Sequence, residues 1–106
     1  MNYTPDNWVV LKIESESKGL IYKVLAGWSG GYLQGDSWRL NSGISRVEYD
    51  HTLVLFHGAS GSVYECHKDT YRLTMATSGI YERLKSIEDV SVEIMPEDTN
   101  WLEMVQ

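Results

Sequence analysis

Residues 44 to 67 combine regular alternation with closely spaced turn signals, and that pattern constrains the fold more than any other stretch. Ser45 to Tyr49 and Thr52 to Phe56 are short runs of β-forming residues separated by Asp50-His51. Gly58-Ala59-Ser60-Gly61 then turns the chain onto a third run, Ser62 to His67. Three strands joined this tightly form an antiparallel meander, with no helix in the span. If residues 57 and 62 pair across the second loop, residue 53 faces 66 and 52 faces 67.

Two more strands precede the meander. In Trp8-Val9-Val10-Leu11-Lys12-Ile13-Glu14, Val9, Leu11 and Ile13 share one face, with Lys12 and Glu14 on the other. Ser15 to Gly19 is a polar turn of hairpin length, leading into Leu20 to Ala26. That run is apolar on both faces apart from Lys23, as a central strand is. Gly27 to Gly35 holds four glycines and is expected to be irregular. It lacks the Gly-Lys-Ser/Thr and the following helix of a phosphate-binding loop. Ser37 to Asn41 is a short strand with Trp38 and Leu40 on one face, and Asn41-Ser42-Gly43 is a turn or bulge.

Beyond Asp69 the period changes. Leu73, Ala76, Ile80, Leu84 and Ile87 recur at spacings of three and four, one face of a helix. Thr77-Ser78-Gly79 interrupts them with weak helix formers. The expectation is two short helices, about 69 to 75 and 78 to 87, with Thr77 or Ser78 capping the second. Val90, Val92 and Ile94 alternate into a last strand ended by Pro96, and Asp98 is placed to cap a final turn that packs Trp101, Leu102 and Val105 against the body. The predicted class is α+β: a mainly antiparallel meander or small barrel-like sheet with one or two short helices packed on it. At 106 residues it is read as a single domain, 1–106. Val9, Leu11, Ile13, Val24, Leu40, Val47, Phe56, Val63, Ile80, Leu84, Val92 and Ile94 are its expected core.

Several motifs together resemble the KTSC domain, a small module found alone or at the end of some lysyl-tRNA synthetases. They are Asn41-Ser42-Gly43-Ile44, Tyr49-Asp50, Leu53, Phe56, Gly61-Ser62-Val63-Tyr64, Tyr71, Ala76, and Ser78-Gly79 with Ile87 beyond. The resemblance covers residues 41 to 87. Gly43 stands where that family more often has asparagine, and the valine-proline that opens its first helix is missing near Lys68. The family offers no established catalytic residue to carry over. The N-terminal part, with Gly27-Trp28-Ser29-Gly30-Gly31-Tyr32 and Ser37 to Ile44, is similar to short uncharacterised proteins of tailed cyanobacterial phages.

Chemistry is sparse. His51, His57, His67 and Cys66 invite a zinc reading. The expected register sets Cys66 on the face of His51 and His57, leaves His67 on the opposite face, and holds His57 roughly 10 Å or more from Cys66. No metal and no cofactor are expected. Cys66 reads as a small core residue, because a nucleophile needs a neighbouring base and an electropositive setting. Glu48 with Asp50, and Glu88 with Asp89, lie at element ends where charges are usually solvated. No Gly-x-Ser-x-Gly elbow occurs. A non-enzymatic chain is expected.

Four tryptophans and seven tyrosines against one phenylalanine supply both core and candidate anchors. Trp28, Tyr32, Trp38 and Arg39, around the glycine-rich loop, are the expected binding residues. The reading is a small, possibly phage-encoded interaction module with a protein partner, homo-oligomerisation being left open. A sugar or small ligand stacking on Trp28, Tyr32 and Trp38 is one alternative. A nucleic-acid module, with Lys23, Arg39 and Arg46 as a local patch, is another, opposed by the net charge of −6. No apolar run reaches membrane-spanning length, and Met1 to Asp6 lacks the features of a signal peptide. With one cysteine, the expected setting is cytoplasmic, the host's if the chain is phage-encoded.

Overall fold

The computed structural model describes residues 1–30 and 37–105. Its strands are β1 (Asn2–Tyr3), β2 (Asn7–Ser15), β3 (Gly19–Trp28), β4 (Ser37–Leu40), β5 (Ile44–Asp50), β6 (Leu53–Gly58), β7 (Val63–His67) and β8 (Val90–Ile94). The helices are α1 (Met75–Lys85) and α2 (Trp101–Met104), and Lys68–Thr70 makes one 3-10 turn. The class is α+β, but the strands lie in two separate four-stranded sheets and do not close into a barrel. One sheet has the order β1-β7-β6-β5, the other β4-β3-β2-β8.

The meander is β5-β6-β7, antiparallel throughout, with its turns where the sequence put them. Its second register differs by one residue. Leu53 pairs with His67, Val54 with Cys66 and His57 with Val63. The loop closes later because Gly58 stays in β6 and donates to the Ser62 carbonyl (2.7 Å), while Gly61 turns at φ +98. One residue of slip exchanges the faces. Val54, Phe56, Tyr64 and Cys66 therefore point into the core, whereas His57 and Val63 lie on the outer face with His67.

The second sheet is covered twice. Trp8, Val10, Val24 and Ala26 face the meander and form one core with Val47, Val54, Phe56, Tyr64, Cys66 and Trp101. Val9, Leu11 and Leu25 face the other way, against Leu73, Ile80 and Leu84 at and before α1. The expected core residues Val9, Leu11, Val24, Val47 and Phe56 are buried; Ile13, Leu40, Val63, Ile80, Leu84, Val92 and Ile94 are only half-buried. Lys12 and Glu14 gave β2 the look of a one-sided strand, but its first half, Asn7 to Leu11, is buried on both faces.

The two-helix expectation for 69–87 is corrected. Residues 71–74 run extended or irregular, and α1 passes unbroken through Thr77-Ser78-Gly79. Its cap is Thr74. The Thr77 hydroxyl accepts from the Thr74 backbone N–H (2.8 Å), completing a reciprocal capping box, so Thr77 favours this helix start instead of breaking the helix. Ile87 lies past the helix and is exposed. The last turn is capped by Asn100, not Asp98; it buries Trp101 and half-buries Val105 but leaves Leu102 exposed. No helix among the described residues is long and apolar enough to cross a membrane.

Candidate functional site

β4 ends its sheet, antiparallel to the last part of β3. The expected irregular stretch therefore starts later than Gly27: Gly27 and Trp28 are still in β3, opposite Trp38 and Ser37. Asn41 fixes the chain as it leaves β4. Its side-chain oxygen accepts from Val24 N–H (2.9 Å) and its own N–H donates to the Val24 carbonyl (3.0 Å). Gly43 follows at φ +135, a conformation that L side chains rarely adopt, so the Asn-Ser-Gly turn is bound to glycine by its backbone.

The four expected binding residues have different fates. Trp28 is half-buried, packed edge-on against Tyr3 with ring centroids 6.2 Å apart, and its indole N–H donates to the Thr4 carbonyl (3.0 Å). Arg39 lies over the same Tyr3 ring, its guanidinium carbon 4.5 Å from the centroid. It also faces Tyr64, whose hydroxyl is held above its ordinary pKa by burial, with Arg39 opposing that rise. Trp38 is 46% exposed and, among the described residues, makes no ring contact or side-chain hydrogen bond. Tyr32 lies outside the described residues.

Trp38 has company that sequence reasoning did not foresee. A Cβ on Gly27, its β3 partner, would stand 2.9 Å from Thr77 Cγ2 and 3.5 Å from Thr74 Oγ1. The start of α1 thus presses on the bare backbone that pairs with Trp38, and Met75, the first residue of α1, is 92% exposed. Two exposed large apolar residues, 37 positions apart, thus lie on elements that meet around Gly27. Periodicity could not expose this, because Met75 falls in the stretch read as the end of a first helix.

A second concave region lies beyond the end of β7. A groove of about 660 Å³ is lined by Trp8 and Trp101 at its floor, by Tyr49, Val54 and Lys68, and by Glu97, Asp98 and Thr99. The Trp101 backbone N–H donates to the Tyr49 hydroxyl (3.1 Å), and Lys68 Nζ lies 4.9 Å from the Tyr49 ring centroid.

The residues considered for catalysis and metal binding are dispersed. Cys66 is fully buried on the inner face, and burial, assisted by Glu65, pushes its thiol well above the ordinary value. The expected placement of Cys66 with His57 is overturned by the one-residue register slip. On the outer face His57 Nε2 lies 2.7 Å from Glu48 Oε1, and Arg46 bonds the same carboxylate at 2.9 Å. Among the described residues no three His, Cys, Asp or Glu side chains converge as metal ligands would. Lys23, Arg39 and Arg46 form no patch. Register sets Lys23 opposite Leu11 on the α1 side, Arg39 opposite Ala26 on the meander side, and Arg46 on the meander's outer face.

No protein-family model matches the chain, and neither a curated protein nor a solved structure matches it.

Proposed function

We propose that the chain is a non-enzymatic interaction module that takes a protein partner at the β4 edge, with Trp38 as the anchor and Met75 beside it. What supports this is that Trp38 and Met75 are both exposed and lie on β4 and α1, elements that meet around Gly27. Exposed large apolar groups on neighbouring elements, in a chain that buries Trp8 and Trp101 almost completely, suit a preformed anchor. Arg39, the next residue along β4, points to the meander side over Tyr3 and so lies on the other face from this anchor.

The test is quantitative capture on immobilised chain from a host lysate, comparing wild type with Trp38→Ala and Met75→Ala. One protein retained by wild type and lost from both variants, at unchanged melting temperature, is the expected result. Capture unaffected by both substitutions overturns the proposal. A salt-dependent shift of labelled nucleic acid would favour the nucleic-acid reading instead. The phage-encoded origin, the cytoplasmic setting and the KTSC-like character of residues 41 to 87 are part of this proposal, and the source of the captured partner bears on the first two.

A further inference from the structure

The groove beyond β7 is remote in sequence from the β4 edge and has a chemistry of its own. Its volume, about 660 Å³, is that of a small-molecule site. Trp8 and Trp101, 2% and 4% exposed with their rings 5.7 Å apart, close its floor, and Tyr49, 43% exposed, is the ring it leaves open. Tyr49 forms a wall whose hydroxyl is tied to the Trp101 backbone, so the ring is held in place before any ligand arrives.

Two features set the sign of the charge it would accept. Glu97 and Asp98 line the groove, and among the described residues neither carboxylate has an ion-pair partner. Lys68 lines it too, yet its ammonium sits against the Tyr49 ring. That contact has the geometry of a cation–π interaction on this ring face. One lysine against two carboxylates leaves the groove net negative.

We infer that the groove binds a small organic cation, an amine or guanidinium on an apolar body, with the body against the Tyr49 ring and the charge between that ring and the Glu97 and Asp98 carboxylates. Lys68 occupies the ring face when the groove is empty and is a competitor for it, not a ligand contact. An anionic or zwitterionic ligand would need Lys68 as its counter-ion, so substitution of this one residue separates the classes.

The probe is phenethylamine, with 3-phenylpropionate as the control of opposite charge, titrated into isotopically labelled chain and followed by amide and indole resonances. Phenethylamine is expected to give saturable shifts confined to Tyr49, Lys68, residues 97–99 and Trp101, and 3-phenylpropionate none. Lys68→Ala should tighten phenethylamine binding several-fold by vacating the ring, and Glu97→Gln with Asp98→Asn should weaken it by about tenfold or more. All three positions are exposed, so the variants should melt with wild type. Weaker binding by Lys68→Ala, equal binding of 3-phenylpropionate, or unsaturable shifts spread over the surface would each overturn the assignment.

Discussion

Two groups of aromatic rings, built from the same residue types, stand in opposite relations to water. At one end Trp8, Phe56, Tyr71 and Trp101 interlock with centroids 4.7 to 5.7 Å apart, and Trp8 and Tyr71 spend their polar atoms on backbone groups. At the other, Tyr3 and Trp28 pack edge-on under Arg39, and Trp38 stands clear. The difference follows from layering. The first group is enclosed between the sheets and closed over by α2; the second lies where β4 ends one sheet and the short β1 ends the other. Aromatic content alone therefore says nothing of function; the number of layers over each ring does.

The sharpest way to break the comparison is inside the enclosed group. Phe56→Ala removes a fully buried ring between Trp8 and Trp101 and should cost about 3–5 kcal/mol, read as a loss in the free energy of urea unfolding. A cost below about 1 kcal/mol would mean that this end is loosely packed. Leu84→Ala probes the other face of the doubly covered sheet, where α1 leaves its apolar residues half-buried. It should cost less, about 2 kcal/mol, in the same measurement.

Tyr71 sharpens the contrast through pH. Its hydroxyl accepts from Val10 N–H and donates to the Met95 carbonyl, bridging β2 to the chain just past β8. Burial raises its pKa from the ordinary 10.0 to about 12. The folded state thus holds this proton more tightly than the unfolded one, and the stability it contributes is complete below pH 10 and lost as pH rises from about 10 to about 12. Tyr71→Phe should cost about 1–2 kcal/mol at neutral pH by stranding its two partners, and should flatten the alkaline fall in melting temperature. An unaltered alkaline limb in that variant would remove Tyr71 from the explanation.

Much of the fold was legible because layering writes itself into sequence. The meander strands are covered on one face and alternate; β2 and β3 are covered on both and read as apolar runs such as Trp8-Val9-Val10-Leu11. What was not legible depended on contacts made elsewhere. The strands' division into two sheets is decided by which edges meet, and β1 joins β7 through two residues only. Thr77 was read as a breaker because its role depends on Thr74 and its space on Gly27. The register slip that turned Cys66 inward and Val63 outward hung on one glycine remaining in β6. At the candidate site, Trp38 and Arg39 were visible as residue types, but the packing of the start of α1 on Gly27, and the assembly of the groove from Tyr49, Lys68, residues 97–99 and Trp101, required the tertiary structure.

The smallest expected effect on stability belongs to Trp38, whose replacement should leave unfolding within about 0.5 kcal/mol of wild type. Its accessibility is also where the division of rings is tested most directly. Acrylamide quenching of tryptophan emission, comparing wild type with Trp38→Phe at matched melting temperature, reads solvent access to the indoles. Trp8 and Trp101 are closed off and Trp28 is half-covered, so Trp38→Phe should remove most of the quenchable emission. An undiminished quenching slope in Trp38→Phe would mean that Trp38 is itself enclosed, and the β4 edge would have no free anchor to offer.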